Sequence, residues 1–157
     1  MGNQVVSNQS VALKLWVVLA RAHSSIAARA AADVARHDLT LAEFGVLEAL
    51  HHKGPLLLGE VQRKVLITSG GITYVVDQLD KKGLVKRRPS PQDRRACFAA
   101  LTRKGKSLMK RIFPEHERAM QEALSGLDAP EQRQATELLR VLGRHAADLA
   151  GSAASSS

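Results

Sequence analysis

The residues of this chain best suited to a chemical task are its cations, which are concentrated in one segment. Between Lys81 and Arg111 the sequence carries twelve Lys or Arg residues and one acidic residue, Asp93, which gives a formal charge of +11. The remaining 126 residues sum to −3, and the whole chain of 157 residues carries +8. Apolar residues interrupt the segment at regular spacing, which favours a folded surface over a solvated tail. Such a surface attracts polyanions: nucleic acid is favoured, and an anionic membrane surface is the alternative.

The residue types that catalysis or metal binding would need form no recognisable motif. His51 and His52 are adjacent, so on a helix they point about 100° apart and cannot share a metal ion well. The sequence has no Gly-rich phosphate loop and no nucleophile motif. Cys97 is the only cysteine, which excludes an intrachain disulfide, and we interpret it as a small hydrophobic residue. We therefore expect no catalytic residue, no metal site and no cofactor.

Targeting signals are also missing from the sequence pattern. No apolar run reaches the ~18 residues that a membrane-spanning helix needs. The first ten residues, MGNQVVSNQS, lack the charged and apolar regions of a signal peptide. We expect a soluble, cytoplasmic protein with no membrane partner.

Hydrophobic periodicity predicts the elements that must position the cations. One long helix, apolar on two faces, is expected over 11–36, and a capping box over Thr40 to Glu43 begins the next helix. Two short helices joined by a turn follow between Gly59 and Gly83. The period then changes to two, which predicts strands over 84–88 and 96–101 joined by a stiff, basic tip. The fold class is therefore mainly α with a small β-hairpin, in the order of a winged helix-turn-helix.

Two further helices are expected after the hairpin. The first spans about 103–125, and Pro114 should kink it or split it at Phe113. A capping signal at 128–131 begins the last helix. The final residues, 151–157, are of low complexity, and we predict that they are disordered.

The second short helix presents candidate groove-reading residues on the side away from its apolar stripe. Thr73 can bond a base edge or contact a thymine methyl group, and Tyr74 can reach a phosphate or a base. Gly70 lacks a side chain, so backbone amides at the helix N-terminus can approach a phosphate closely. The alternative for Tyr74 is a partly buried surface aromatic. The candidates for DNA contact on this helix are Ser69, Gly70, Thr73, Tyr74 and Gln78.

The hairpin supplies a second set of candidates. Arg94 and Arg95 at the tip are the strongest, because a narrow A/T-rich minor groove attracts a guanidinium. The carboxylate of Asp93 among these cations can fix the direction of a guanidinium; an ordinary surface ion pair is the alternative. We expect phosphate contacts, which add affinity without sequence information, from Lys86, Arg87, Arg88, Arg103 and Lys104.

These segments resemble the MarR family, the multiple antibiotic resistance regulators. The resemblance covers LTLAEFGVLEAL at 39–50, the segment 58–88, and PSPQDRRACFAALTRKG at 89–105. Its most specific part is VDQLDKKGLVKRR, which runs into QDRR and then LTRKG in the family's order and spacing.

The resemblance implies a single domain over 1–157, with a DNA-binding lobe over 39–105 and dimerisation helices over 11–38 and 106–150. It implies a homodimeric, sequence-specific regulator of transcription that binds double-stranded DNA at a pseudo-palindromic operator. Such proteins are usually repressors that a small anionic or phenolic ligand, or oxidation, releases. An architectural DNA-binding protein without strong sequence preference is the alternative.

The resemblance also implies residue roles. By the family pattern, Asp93 braces the wing tip and Arg95 enters the minor groove. An effector pocket would lie between the dimer helices and the DNA-binding lobe, where Trp16, Phe44 and Phe113 could line it; plain core packing is the alternative for each.

Three positions depart from the family pattern. Leu66 stands where many members have a turn glycine, and Gly70-Gly71 stands where Ser or Thr is common. Tyr74 stands where an Arg often reads a base. Base contacts of other members are therefore not carried over to this chain.

Overall fold

The elements follow one another in the order that the sequence pattern predicts. A computed structural model describes residues 2–65 and 69–154, which fall into two compact units, Met1–Met120 and Gln121–Ser157. In chain order the elements are α1 (Gly2–Ala35), α2 (Leu41–Lys53), β1 (Leu56–Leu57), α3 (Leu58–Val65), α4 (Ser69–Lys81), β2 (Val85–Pro89), β3 (Cys97–Leu101), α5 (Arg103–Ala123) and α6 (Ala129–Ala154). The mainly helical class with a small β-hairpin is confirmed.

The hairpin belongs to a three-stranded antiparallel sheet of order β1-β3-β2. Val85 pairs with Leu101 at the base of the hairpin, and Pro89 pairs with Cys97 towards its tip. Leu56 of β1 pairs with Ala99. The prolines on either side of Ser90 end the ladder because they cannot donate a backbone hydrogen bond.

The core lies beneath α2 and α4. Aliphatic side chains dominate it, as the low aromatic content of the sequence, 3%, requires. The largest side chains that are fully buried come from five helices and one strand, and they are Val34, Phe44, Val46, Leu47, Val61, Val76, Leu79, Val85, Met109 and Ile112.

The predicted capping box begins α2 and also ties it to the end of α4. The Glu43 backbone N–H donates to Thr40 Oγ1 at 3.1 Å, and the Thr40 N–H donates to Glu43 Oε2 at 2.8 Å. Glu43 is buried, and its carboxylate also accepts a hydrogen bond from Lys82 Nζ at 2.9 Å. The same ammonium donates to the Asp38 carbonyl. This buried carboxylate is therefore paired, which offsets its desolvation.

Three sequence expectations about helix bounds are corrected. Helix α5 runs from Arg103 to Ala123 through Pro114, so of the two predicted effects, a kink or a split at Phe113, the split is wrong. Pro114 removes one backbone hydrogen bond from the helix. The helix is held on both sides of it, because Ile112 packs in the core before it and His116 contacts Asp33 after it. Helix α1 begins at Gly2 rather than near residue 11, and α6 extends to Ala154.

The predicted disordered tail is therefore helical over 151–154, and its last residues, 155–157, lie outside the described part. The turn predicted between the two short helices, at 67–69, is described only at Ser69, where α4 begins.

Helix α1 also corrects the expectation about membrane spans. The segment Ser10–Ala35 is long enough and apolar enough to cross a membrane. Length and hydropathy alone do not distinguish a spanning helix from one that packs against protein in a soluble molecule.

The start of α5 packs against the backbone of Leu84, and this contact generates a prediction about Gly105. A Cβ atom at Gly105 would lie 2.1 Å from the Leu84 carbonyl oxygen. We expect Gly105→Ala to lower the free energy of unfolding by about 2–4 kcal/mol, because backbone must move to relieve the overlap. Gly59→Ala is the control, since its nearest neighbour is the end of the Arg63 side chain at 3.9 Å. Urea unfolding of both variants measures this, and equal stabilities would contradict the close approach.

Candidate nucleic-acid interface

One face of α4 is turned to solvent and carries the predicted reading residues. Thr73 and Tyr74 are exposed, and Gln78 is half-buried. Tyr74 is 65% exposed, so most of its ring is accessible to a partner. The opposite face, Ile72, Val75, Val76 and Leu79, is buried. Ser69 and Gly70 lie in the first turn of α4, and their side-chain environment lies outside the described residues.

Backbone hydrogen bonds close the wing tip into a defined shape. The Ser90 N–H donates to the Ala96 carbonyl at 3.1 Å, and the Ala96 N–H donates to the Asp93 carbonyl at 3.0 Å. The Asp93 carboxylate accepts from the backbone N–H of Arg95 at 2.9 Å. This is an Asx-type turn, in which a short side chain replaces a backbone acceptor.

This hydrogen bond agrees with the bracing role that the family resemblance implied for Asp93. The carboxylate braces the tip through the Arg95 backbone, and not by directing a guanidinium or forming a surface ion pair, which were the other expectations for it. Within the ranges 2–65 and 69–154, the guanidinium groups of Arg94 and Arg95 form no ion pair. Both residues are exposed, so the tip presents two positive charges to solvent on a braced backbone.

An ion pair joins the wing to α4. Arg87 of β2 lies 2.6 Å from Asp77 of α4, and both side chains are partly exposed. Such a pair contributes about 0–1 kcal/mol to stability, so its main effect is on orientation. Sequence analysis missed Asp77 and predicted that Arg87 contacts a phosphate. An acidic residue ten positions before Arg87, in a different element, gives no local signal of this contact.

The remaining cations of the wing region fall into two groups. Lys86 and Arg88 are exposed on β2, as predicted, and Arg103 is exposed at the start of α5. Lys104, by contrast, donates from Nζ to the Lys82 carbonyl at 2.8 Å, beside the C-terminal end of α4. In that position Lys104 satisfies a carbonyl at the C-terminal end of α4, and its predicted contact with phosphate stays a prediction.

The three predicted effector-pocket residues lie in different environments. Trp16 is 66% exposed on α1, whereas Phe44 is buried and its ring centroid lies 4.3 Å from that of His116. Phe113 is half-buried against His51 and His52. No ring contact described for this chain joins the three to one another. Phe44 therefore packs as core, which was its alternative interpretation.

A buried polar cluster lies next to Phe44 and connects α1 to α5. Asp33 is buried, and its Oδ2 lies 2.9 Å from Nδ1 of His116. Arg36 donates to the other oxygen of the same carboxylate. Burial raises the pKa of Asp33, but the hydrogen bonds from His116 and Arg36 outweigh it and hold this pKa below its ordinary value.

The lowered pKa of Asp33 predicts an acid-dependent stability. Because the folded-state pKa lies below the unfolded value of about 4, the contribution of Asp33 is fully present above that value. It is lost as the pH falls through the folded-state pKa. We expect Asp33→Asn to reduce the loss of unfolding free energy between about pH 6 and about pH 3. Urea unfolding across this range measures it, with the exposed Asp80→Asn as control; equal pH slopes for Asp33→Asn and the wild type would contradict the assignment.

The described residues offer no site for a metal ion. Within the parts of the chain that the structure covers, no group of three or more His, Cys, Asp or Glu side chains is placed to hold one. The geometry instead combines a helix with an exposed polar face, packed against β2, and a cationic hairpin beside it. This is the architecture of a winged-helix DNA-binding protein.

Comparison with known proteins identifies the family. A family model described as MarR family matches residues 37–96. The HTH-type transcriptional regulator MhqR of Bacillus subtilis (strain 168) is 44% identical over 134 residues, which cover 85% of this chain and 92% of that protein. The chain therefore belongs to the MarR family, and it is a DNA-binding transcription regulator.

Solved structures agree with this assignment. BpsR of Bordetella bronchiseptica, whose DNA binding is regulated by 6-hydroxynicotinic acid, is 28% identical with a TM-score of 0.76, over 83% of this chain and 98% of that chain. Sco3205, a MarR family transcriptional regulator from Streptomyces coelicolor solved in complex with DNA, shares the fold. Its TM-score is 0.79 at 24% identity, over 85% of this chain and 86% of that chain.

Proposed function

We propose that this chain is a cytoplasmic, ligand-responsive repressor that binds a pseudo-palindromic operator as a homodimer. The observation that carries the proposal is the wing tip, where two exposed arginines stand on a backbone braced by Asp93, at the end of a hairpin whose strand β2 packs against α4. A braced cation loses less side-chain and backbone freedom on binding than a cation on a floppy loop.

In this proposal α4 enters the major groove. Thr73 and Tyr74 reach base edges or phosphates from the exposed face, with Gln78 further along the helix. Ser69 and Gly70 bring the N-terminus of the helix to the DNA phosphate backbone. The wing follows the neighbouring strand of the duplex. Lys86 and Arg88 contact phosphates, and Arg94 and Arg95 reach the minor groove, where a narrow A/T-rich segment has the strongest negative potential.

The homodimer is supported by apolar surface that one chain leaves uncovered. Large hydrophobic side chains are exposed along the N-terminal half of α1, in the compact unit that contains the lobe, and along α6, in the other unit. Soluble proteins rarely leave such runs of apolar side chains in water. These exposed residues are Val11, Leu13, Leu15, Trp16, Val17 and Val18 on α1 and Leu138, Leu139, Val141, Leu142 and Leu149 on α6.

A ligand response is supported by the relative BpsR, at 28% identity, whose DNA binding is regulated by 6-hydroxynicotinic acid. By analogy we expect a small anionic or phenolic molecule to release this chain from DNA. In a symmetric dimer the two reading helices meet half-sites about one helical turn apart, ~10 base pairs.

The wing assignment predicts the effect of Arg95→Ala. We expect the affinity for a site selected from random DNA to fall about tenfold or more, because each copy loses a minor-groove cation. If each chain neutralises about four phosphates, log K falls with log salt at a slope of about −7 for the wild-type dimer. Fluorescence anisotropy over a salt series measures both quantities.

The control is Arg118→Ala, which removes an equal charge from the exposed side of α5. Unchanged affinity of Arg95→Ala would contradict the wing assignment, and a wild-type slope shallower than about −2 would contradict phosphate binding. Equal affinity of the wild type for selected and random DNA would instead identify an architectural protein without sequence preference.

The dimer predicts the effect of charges on the exposed apolar residues. We expect Trp16→Glu and Leu142→Glu to shift the sedimenting species from two chains to one, because a buried, unpaired carboxylate in an interface costs several kcal/mol. Tyr74→Glu is the control: it charges an equally exposed aromatic on the reading face and should leave the dimer intact. Sedimentation of the wild type as a monomer would overturn the homodimer.

A further inference from the structure

Lys82 lies at the C-terminal end of α4, and its backbone is fixed by the way this helix ends. Gly83, with a φ of 72°, ends α4 in a Schellman motif. In this motif the Leu84 N–H donates to the Leu79 carbonyl at 2.9 Å, and the Gly83 N–H donates to the Asp80 carbonyl at 2.8 Å. The direction in which the Lys82 side chain leaves the helix is therefore determined by α4 itself.

The ammonium group of Lys82 joins α4 to the point where α1 leads into α2. It donates to the Asp38 carbonyl at 2.6 Å and to the Glu43 carboxylate at 2.9 Å. Asp38 lies in the turn between α1 and α2, and Glu43 lies in the first turn of α2. One side chain therefore ties the end of the reading helix to the joint between the two preceding helices.

Both acceptors of this ammonium group are held in place. Asp38 has a φ of 57°, in the left-handed region that few residues other than glycine adopt, and its N–H donates to the Ala35 carbonyl at 3.1 Å. The Glu43 side chain is 5% exposed and also accepts from the Thr40 N–H. A tilt of α4 that separates Lys82 from Glu43 leaves a buried carboxylate without its cation, so the contact opposes such a tilt.

The carbonyl group of Lys82 adds a contact with α5. The end of a helix leaves carbonyl groups without a partner inside the helix, and this one accepts a hydrogen bond from Lys104 Nζ at 2.8 Å. Lys104 lies in the first turn of α5. The end of α4 is thus held by α5 and by the turn that leads from α1 into α2.

We propose that Lys82 is a positioning residue that sets the distance between the two reading helices of the dimer, and with it the spacing of half-sites that the protein accepts. This inference rests on the proposed function, in which α1 packs against the second copy and α4 enters the major groove. In that arrangement the angle between α1 and α4 in each chain decides how far apart the two copies of α4 lie. A helix that is free to tilt fits several spacings but loses more freedom on binding any one of them.

Lys82 does this without contacting DNA. Its charge is balanced by the buried Glu43 carboxylate, so removing both groups together takes no unpaired cation from the surface. We therefore expect their removal to change the preferred spacing and not the number of phosphates that the protein neutralises, which the salt slope reports. A residue that contacts phosphate directly has the opposite signature.

The double variant Glu43→Gln/Lys82→Met removes the contact without leaving a buried charge unpaired. The amide that replaces the carboxylate can still accept the Thr40 N–H, so the start of α2 keeps its cap. Lys81→Met is the matched control, because the neighbouring Lys81 is exposed and forms no ion pair among the residues that the structure describes. Thermal melting establishes that each variant is folded at the temperature of the measurements.

The first experiment measures DNA affinity as a function of half-site spacing. Two half-sites selected from random DNA are joined at the selected spacing and at spacings one base pair shorter and longer, which moves a half-site by about 3.4 Å and turns it by about 35°. We expect the wild type and Lys81→Met to lose at least about tenfold in affinity at the wrong spacings, and the double variant to lose about threefold or less. The salt slope at the selected spacing should be the same for the double variant and the wild type.

The outcomes of this experiment separate the two proposals. An equally sharp spacing preference in the wild type and the double variant overturns the role of Lys82 and leaves the proposed function standing. A loss of affinity by one factor at every spacing also overturns that role, because a merely destabilised lobe weakens all sites alike. Equal affinity of the wild type at every spacing overturns the proposed operator.

The second experiment tests the joint without DNA. Spin labels at Ala28→Cys on α1 and Gln92→Cys at the wing tip, both exposed positions, are introduced together with Cys97→Ser. Labelled chains are diluted with unlabelled ones, so that electron–electron resonance reports the distance within one chain. We expect one narrow distance for the chain with native Glu43 and Lys82, the same for Lys81→Met, and a distribution about twice as wide for the double variant.

Equal widths in this measurement overturn the positioning role of Lys82. A wider distribution in the double variant, found together with a wild type that accepts every spacing, supports the role of Lys82 in holding α4 and overturns the proposed operator.

Discussion

The orientation of the wing depends on one backbone junction, where α4 ends, β2 begins and α5 starts. Gly83 turns the chain with a φ of 72°, and the N–H of Thr102 donates to the Leu84 carbonyl at 3.0 Å. The Thr102 hydroxyl donates a hydrogen bond to the Gly83 carbonyl at 2.6 Å. Its oxygen also accepts one from the backbone N–H of Gly105, in the first turn of α5, at 3.0 Å. Thr102 therefore joins the loop after α4 to the first turn of α5. Because Gly105 has no side chain, its backbone can lie directly against the backbone of Leu84. The end of the reading helix α4 and the base of the wing are therefore held together by contacts at this junction.

The segment of charge +11 is divided between tasks that only the fold separates. Lys82 and Lys104 satisfy carbonyl groups or a buried carboxylate inside the lobe, and Arg87 pairs with Asp77. The charges of Lys82 and Arg87 are balanced by carboxylates, whereas Lys104 bonds a neutral carbonyl and keeps its charge. Among the described residues the other nine cations of the segment form no ion pair, and all of them are exposed: Lys81, Lys86, Arg88, Arg94, Arg95, Arg103, Lys106, Lys110 and Arg111. An external polyanion thus meets a smaller and more directed set of charges than the sequence count indicates.

The lobe buries its large apolar side chains within one chain, whereas helices α1 and α6 leave large apolar side chains exposed. The lobe buries one core, mostly aliphatic, with side chains from five helices and two strands. Over residues 10–35 of helix α1 the buried residues are Ala30, Asp33 and Val34, all near its C-terminal end. The Asp33 carboxylate is held there by His116 and Arg36, which offsets its burial. The remainder of α1 has no partner within the part of the chain described here that would cover its apolar side chains, which is why a second copy is proposed.

The sequence by itself determined the order and type of the elements. Three of its signals are local: the capping box at Thr40, the change of period after Gly83 and the charge of the hairpin. Such signals suffice because hydrogen bonding between near neighbours and the alternation of side chains decide local structure. Tertiary structure alone decided that Asp93 accepts a hydrogen bond from a backbone amide and that Asp77 forms an ion pair with Arg87. Pairings between residues distant along the chain depend on how elements pack, and periodicity in one element carries no information about the side chain that will stand opposite.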